Sequence, residues 1–333
     1  MILAGDIGGT NARLGLFELA DDRIKPVVVK NYPSRDYTSL HEIVAQFIKE
    51  QSLPIKNACF AIAGPVHEGR VATTNLAWLV DAQKLANLLN VKQVGLINDL
   101  EAIGYGLTEL TNSDLATLNI GNASSVGNIA IVAAGTGLGE AACFWDGQEH
   151  QPFASEGGHA DFAPRNPTEM ELLTYLLTDF DRVSYERLLS GSGLFEIYKF
   201  HQHTHRGEER PELTEVLYQQ AHPASVVQAA LENRSEVCTN ALNLFVSLYG
   251  AEAGNLALKV MARGGVFIGG GIAPKIIQKL KEPIFMSAFT QKGRMRPLLA
   301  AMPVHVILND KTGLLGAARY AVHRVARRNN HLG

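Results

Sequence analysis

Four short groups of residues in this chain combine reactive chemistry with a spacing that could use it. The first is Gly5-Asp6-Ile7-Gly8-Gly9-Thr10-Asn11. Apolar residues lead into it and apolar alternation resumes at Leu14, Leu16 and Phe17, so it reads as a hairpin whose tip carries almost no side chains. Gly8 and Gly9 permit positive φ, and successive exposed N–H groups at such a tip make a nest for an anion such as phosphate. Asp6, entering the turn, could hold a hydrated Mg2+, because carboxylates suit hard cations. The second group, Gly135-Thr136-Gly137-Leu138-Gly139, repeats the arrangement within the apolar stretch Asn128–Trp145. Two similar hairpins, one opening each half of the chain, imply two related domains facing each other across a cleft, with a nucleotide gripped between the turns.

The third group, Asn98-Asp99, closes the apolar strand Gln93–Ile97 and places a carboxylate where it can take a proton from a hydroxyl. Asn98-Asp-Leu-Glu101 also satisfies a helix N-terminal signature, so either residue could be a cap. The two roles are compatible, since an amide bond to Asn98 leaves Asp99 available. The fourth group is Glu156-Gly-Gly-His159. A carboxylate accepts two hydroxyls and a neutral imidazole both donates and accepts, so the pair can converge on one polyhydroxylated ligand.

Strands alternating with helices must position these groups, an α/β pattern that puts ligands at the carboxyl ends of strands. Pro26–Tyr32 reads as a third strand. Ser39 and Glu42 form a capping box ahead of an amphipathic helix that Pro54 stops. Asn57–Ala63 is a buried strand, Val66–Thr73 an extended segment, Asp81–Leu89 a helix and Leu100–Leu107 another. Thr108–Asn122 reads as a polar crossing and Gly147–Pro167 as a long loop. Pro167–Phe180 is helical, as is much of Val183–Met261, where Val237, Ala241, Leu244, Phe245 and Leu248 keep a helix spacing. Val266–Ile268 is a strand running into Gly269-Gly270-Gly271, where a flat base can lie against the backbone. Pro303–Leu308 is a strand and Gly313–Arg328 a terminal helix.

Composition narrows the class. The 333 residues suffice for two domains, and 46% hydrophobic with 19% charged residues describe an ordinary soluble chain. A net charge of −3 gives no support for a nucleic-acid partner. No apolar run approaches the roughly 20 residues of a membrane span, and the start reaches Gly5-Asp6 too soon for a secretory leader. Cys59, Cys143 and Cys238 form no CxxC pair and read as buried thiols of a reducing cytoplasm.

Taken together, Gly5–Leu14, Ile97–Asp99, Gly135–Gly139, Glu156–Pro164, Glu186–Gly193, Gly264–Pro274 and Gly313–Gly316 resemble, in order and over nearly the whole chain, the bacterial glucokinases of the actin, hexokinase and heat-shock-chaperone ATPase superfamily. The resemblance implies two ribonuclease-H-like (actin-like ATPase) domains, a small one from 1–109 plus 314–333 and a large one from 110–313. It implies ATP and Mg2+ as cofactors, glucose as substrate and a homodimer. Asp99 would accept the proton of the sugar 6-hydroxyl, with Asn98, Glu156, His159 and Glu186 binding the sugar. Glu186 is assigned on the resemblance alone; by itself it reads as a helix residue pairing with Arg182 or Arg187. Gly5, Asp6, Ile7, Gly8, Gly9, Thr10 and Asn11 with Gly135, Thr136 and Gly137 would embrace the nucleotide phosphates. Gly270 and Gly271 would meet the adenosine, and Asp6 would hold the metal through water.

Other readings fare less well. There is no GxxxxGK[ST] loop, and Glu140 fails the last position of a GxGxxG motif. A kinase for another hexose or an N-acetylhexosamine is the near alternative. A sugar-sensing regulator is the distant one, and it needs a helix-turn-helix that the four residues before Gly5 cannot supply. A filament protein or chaperone ATPase would have no use for Asn98-Asp99 with Glu156 and His159. A related branch carries a cysteine-rich zinc motif where this chain has Ala160–Asn166, so no structural zinc is expected. His201, His203 and His205 read as a solvated loop, and Arg319, Arg324, Arg327 and Arg328 as a solvated helix face.

Overall fold

The computed structural model describes residues 1–73, 76–122, 124–208, 214–215, 217, 219 and 222–325. The chain divides into two compact units, one of Met1–Asp114, Glu149–Ala154 and Asn309–Gly333, the other of Leu115–Gln148 and Ser155–Leu308.

The first unit is built on β1 (Ile2–Ile7), β2 (Asn11–Ala20), β3 (Arg23–Pro33), α1 (Leu40–Gln51), β4 (Asn57–Ile62), β5 (Arg70–Ala72), β6 (Leu79–Asp81), α2 (Ala82–Leu89), β7 (Val94–Asn98) and α3 (Asp99–Gly106). Its main sheet runs β3-β2-β1-β4-β7, with β1 antiparallel to β2 and parallel to β4. Alternation decides the two cores. Leu3, Ala58, Phe60 and Ile62 face α1 and α2, whereas Ile2, Ala4, Cys59 and Ala61 face the other side, where Leu314, Ala317 and Ala318 pack. On that second side the helix Thr312–Tyr320 lies against α3 at very short range. A Cβ on Gly316 would sit 1.7 Å from the Ala102 carbonyl, and one on Gly106 would sit 2.1 Å from that of Thr312, so only glycines permit the approach.

From Leu115 the elements are β8 (Leu115–Asn119), β9 (Ile129–Ala134), β10 (Leu138–Trp145), β11 (His150–Ser155), α4 (Pro167–Leu176), α5 (Tyr185–Leu188), α6 (Gly191–His203), α7 (Pro223–Leu231), α8 (Glu236–Val260), β12 (Gly265–Gly269), α9 (Ile277–Leu280), α10 (Pro283–Thr290), α11 (Arg296–Ala300) and β13 (Val304–Ile307). The sheet of the second unit follows the order β10-β9-β12-β13-β8. Here too a hairpin opens the sheet and its first strand pairs in parallel with a later one. The 25-residue helix α8 is apolar around most of its circumference and forms the centre of the helical layer, buried against α6, α7 and α10.

Several local readings change in the fold. The polar crossing contains β8, whose half-buried residues pair antiparallel with β13. The long loop contains β11 and a 3-10 turn at Gly157–His159. Helix α1 ends on Ser52 in the left-handed region, two residues before Pro54. Its capping box closes one residue early: Ser39 Oγ accepts from the Glu42 amide, but Glu42 accepts from the Thr38 amide. Regular α-helix at the chain's end stops at Tyr320, followed by a π-turn Ala321–Val325, and Arg327 and Arg328 lie outside the described residues.

Two charge readings are overturned. Arg319 is buried, not solvated; its guanidinium pairs with buried Glu109 and donates to Asp22 Oδ1 at 2.9 Å, holding the Asp22 carboxyl below its usual range. His201 and His203 lie in α6, because Leu194, Ile197, Tyr198 and His201 fall on one helical face. His201 is 6% exposed and neither ring nitrogen has a hydrogen-bond partner.

Burial, with Arg206 adding repulsion, lowers His201 from 6.5 to about 4. The unfolded chain therefore binds the proton more tightly, and stability is lost as pH falls from the unfolded value through the folded one. That loss amounts to about 3 kcal/mol at most. His201→Leu is expected to flatten the acid limb of the stability curve over that window; chemical denaturation at stepped pH measures it, and an unchanged limb would place the acid sensitivity elsewhere.

Candidate active site

In the first unit the β1–β2 hairpin brings Ile7 opposite Ala12 and Asp6 opposite Arg13. The tip is drawn tight by the Gly8 amide donating to the Asn11 carbonyl at 2.9 Å, and it is moored by Ser34, whose Oγ donates to the Gly8 carbonyl and whose amide donates to that of Thr10. Neither Gly8 nor Gly9 has positive φ, so their value lies in bareness. A Cβ on Gly8 would meet nothing closer than 3.4 Å. Gly5 differs. It is buried in β1, and a Cβ there would overlap the Phe60 ring at 2.4 Å, so its lack of a side chain serves the core.

Asp6 is partly buried beside the start of the helix Thr312–Tyr320; a Cβ on Gly313 would lie 3.6 Å from its Cγ. Burial raises its pKa to about 6, Asp99 and Asp310 push in the same direction, and Arg13 opposes them. Arg13 itself forks onto Asp310, with 2.8 Å from Nη2 to Oδ2. Asp6, Asp99 and Asp310 therefore concentrate negative charge in one place, an environment that a divalent cation relieves. Among the described residues no group of three or more ligating side chains is arranged to hold a metal ion directly.

Asn98 and Asp99 sit where β7 passes into α3. Asn98 is the N-cap: its Oδ1 accepts from the Leu100 amide at 2.9 Å and the Glu101 amide at 3.4 Å, and Nδ2 reaches the Gly64 carbonyl at 3.4 Å. Asp99 is not spared by this cap. Its Oδ1 also takes the Leu100 amide, at 3.0 Å, which fixes its rotamer at the strand end while leaving it partly exposed.

In the second unit, β9 and β10 meet at Gly135-Thr136-Gly137, closed by the Gly135 amide on the Gly137 carbonyl at 2.8 Å. Beside this turn a Cβ on Gly271 would meet open space and one on Gly135 nearly so, whereas Gly270 has φ +82° and a Cβ there would lie 2.2 Å from the Ala134 carbonyl, so it is a backbone necessity. A cavity of about 730 Å³ opens here, lined by Gly135, Thr136, Gly191, Ser192, Val227, Leu231, Gly271, Ile272 and Lys275 among others. Its size and apolar walls suit a base and ribose. Tyr249 holds the strands that feed it. Its buried hydroxyl accepts from the Ala134 amide at 3.1 Å and reaches the carbonyls of Val132 and Gly269 at 3.2 Å, bridging the ends of β9 and β12.

Glu186 does not pair with Arg182 or stand in solvent. Its Oε2 accepts from the Leu138 amide at 2.9 Å, and Arg182 bonds Asp161 and the His159 carbonyl. Gly137 makes this possible: a Cβ there would lie 2.4 Å from Glu186 Oε2. His159 stands between two carboxylates, with Nδ1 3.8 Å from Glu186 Oε1 and Nε2 3.9 Å from Glu156 Oε2. The turn bearing Glu156 and His159 is stitched to the α5 segment by the Phe162 amide on the Val183 carbonyl and the Tyr185 amide on that of Ala160. Glu156, His159 and Glu186 thus form one cluster of acceptors around an imidazole, a set able to pair hydroxyl groups.

The cavity wall at Gly191, Ser192, Ile272 and Lys275, and the tie at Tyr249, had no assigned role in the sequence. Ser190 caps α6 through the Gly193 amide at 3.1 Å, and that Ser-Gly-Ser-Gly run was the available signal for the wall. Tyr249 offers none, being one more large residue on a buried helix face.

The family model described as Glucokinase matches residues 3–324. A glucokinase of Nostoc sp. (strain PCC 7120) is 45% identical over 334 residues, covering 96% of this chain and 98% of the relative. Among solved structures, a glucokinase from an Antarctic psychrotroph is 32% identical with a TM-score of 0.83, covering 96% of this chain and 98% of that one. A ROK family glucokinase from Streptomyces griseus, in complex with glucose and AMPPNP, shares the fold at 18% identity and a TM-score of 0.66, covering 96% and 99% of the two chains.

Asp6 yields a prediction with a definite sign. Its folded pKa of about 6 exceeds the ordinary 3.8, so its protonated form is favoured in the native state and that contribution disappears as pH rises through the folded value. Asp6→Asn should therefore melt higher than the parent above about pH 6, the gap closing toward about pH 4. Calorimetry across that range, without metal or nucleotide, checks it; equal melting temperatures throughout would mean that Asp6 is not under charge strain.

Proposed function

The chain belongs to the glucokinase family and is an enzyme that transfers a phosphoryl group from ATP to glucose; within that activity we propose that Asp99 takes the proton of the sugar 6-hydroxyl. The observation that carries this reading is the placement of Asp99 where β7 passes into α3, with its carboxylate held by the Leu100 amide at 3.0 Å and its charge felt at Asp6. Phosphoryl transfer asks little covalent work of a protein; alignment and charge neutralisation dominate.

The remaining roles follow the chemistry of each group. Glu156, His159 and Glu186 pair the sugar hydroxyls, and Asn98, whose Oδ1 is engaged by the helix amides, contributes its Nδ2. An unpaired hydroxyl in such a site is costly, which gives selectivity. The backbone donors of Gly8–Asn11 and of Gly135–Gly137 bind the phosphates, and the glycine-walled cavity takes the adenosine against Gly270 and Gly271. Mg2+ bound as a hydrate would neutralise phosphate charge when present, with Asp6 accepting from its waters. We assign the chain to the actin and hexokinase superfamily because each unit contains a hairpin whose first strand also pairs in parallel with a later strand. The two units are then its two domains. A homodimer and a cytoplasmic setting complete the reading. Cys59, Cys143 and Cys238 are buried and unbridged, and among the described residues no helix is long and apolar enough to cross a membrane.

Asp99→Asn is expected to lower kcat about 10²–10⁴-fold while glucose still binds, since only the proton acceptor is lost. A coupled assay with calorimetric glucose titration tests it; near-normal turnover would reduce Asp99 to a helix-start residue. Gly137→Ala pushes Glu186 off the Leu138 amide and should raise the glucose KM by about tenfold, the worth of a charged hydrogen bond, with a smaller change for ATP. An unaltered glucose KM would remove Glu186 from the sugar site.

A further inference from the structure

Behind the turn that carries Glu156 and His159 lies a carboxyl group that the roles above leave unused. Glu140, on β10, is 1% exposed, and neither of its carboxyl oxygens has a hydrogen-bond partner. Facing it from α8 is Glu252, fully buried, with Oε1 also unpartnered and Oε2 accepting from Asn255 Nδ2 at 2.7 Å. Two carboxylates this deep repel each other where little water reaches them, and the one nearby ammonium at Lys259, 3.8 Å from Glu252 Oε1, offsets only part of that cost. Burial first and Glu252 second push Glu140 up to about 8.

The other titratable groups around the pair are few. Lys259, also on α8, stands 3.8 Å from Glu252 Oε1 and only weakly opposes the shift. Tyr185, from α5, receives Asn255 Nδ2 on its hydroxyl at 3.0 Å, and Glu252 adds to the burial that raises it. Tyr249 on α8 is held neutral by burial, with Glu140 adding to it. Lys292 is lowered to about 8 by burial and spends its ammonium on the Ala251 carbonyl and Asn255 Oδ1. The turn itself reaches the carboxyl at Gly157: a Cβ there would fall 2.1 Å from Glu140 Oε2, and one on the adjacent Gly158 would fall 2.1 Å from the Leu138 carbonyl. The glycines let the turn settle directly onto the carboxyl group and its strand.

We propose that the buried Glu140 carboxyl, facing Glu252, is the surface on which the Glu156–His159 turn rests, making Glu140 a positioning residue for the sugar. This deepens the assignment of Glu156 and His159 to glucose and rests on it. When the proton leaves, two buried anions repel, and the glycine turn is packed directly against the Glu140 carboxyl. Glu156 and His159 then lose their spacing, while Asp99, in the first unit, keeps its own supports. Loss of the proton acts on glucose affinity before it acts on turnover.

The test is glucose KM and kcat at saturating ATP from about pH 7 to about pH 9.5, on the parent and on Glu140→Gln, which keeps the shape and stays neutral. The parent's KM should rise about fivefold or more across the range, following the fraction ionised, with a smaller change in kcat. Glu140→Gln should match the parent's KM at the low end and stay flat. A flat parent profile, or the same rise in Glu140→Gln, would overturn the proposal. Infrared difference spectra give a reading independent of sugar: a protonated-carboxyl band present in the parent at neutral pH and missing in Glu140→Gln supports it, and the absence of that band in the parent overturns it. Glu156→Gln separates the layers. If it leaves glucose KM unchanged, the sugar-site assignment has failed; if it weakens glucose while the two pH profiles stay parallel, only the positioning role has.

Discussion

The bond from the Leu138 amide to Glu186 Oε2 is the contact on which the arrangement of the second unit's candidate site turns. It starts on the strand that leaves the Gly135–Gly137 turn and ends on a carboxylate whose other oxygen faces His159. One hydrogen bond therefore ties that turn to the cluster of Glu156, His159 and Glu186. It exists because Gly137 has no side chain to displace the carboxylate. Glycines in this enzyme divide by what their missing side chain admits. Gly8, Gly135 and Gly271 leave space open, Gly137 and Gly157 admit carboxylates, and Gly5, Gly106 and Gly316 admit the chain's own backbone or core.

A second theme is negative charge held where water is scarce. Asp6 and Glu140 are both raised, for related reasons, yet the resolutions differ. Asp6 stands among two further aspartates and an arginine at the end of a strand, and the arginine opposes their repulsion. Glu140 is enclosed with Glu252, and burial and that neighbour favour its neutral form. Arg319 shows the third solution: buried Glu109 and exposed Asp22 share its guanidinium, and breaking such a pair typically costs about 3–5 kcal/mol because the remaining charge is stranded. Perturbed carboxyls of the first kind cluster at working sites; those of the third kind hold a fold together.

Strand ends supply the remaining order. Parallel pairing of β9 with β12 runs to Ala133 and Gly269, and just beyond it the Tyr249 hydroxyl takes the Ala134 amide. Tyr249 thereby satisfies a backbone group that the diverging strands would otherwise leave unpaired, in a place where an orphaned buried donor costs about 1–3 kcal/mol. Asn98 does the corresponding work at the end of β7 for the amides of α3. Both β9 and β7 thus end on peptide groups that a single side chain, Tyr249 or Asn98, accounts for.

Much of this was legible in the residues themselves wherever the deciding interaction is local. Hairpins, the Asn98 cap, the buried strands on either side of it, the helix spacing of α8 and the convergence of Glu156 with His159 depend on neighbours a few positions apart, and their physics is written in the order of residue types. The outcomes that needed the folded chain all join distant segments. Leu115–Asn119 looks polar but becomes a strand because β13 offers it a free edge. Glu186 reads as a surface residue until Leu138 comes beside it, and His201 reads as solvated until the face of α6 turns inward. Arg319 waits on Glu109 and Asp22, and Glu140, a misfit in a glycine motif, is raised only when the fold buries it and α8 sets Glu252 near it. Burial and long-range partners fix protonation and rotamer alike, and neither is a property of a residue's immediate sequence.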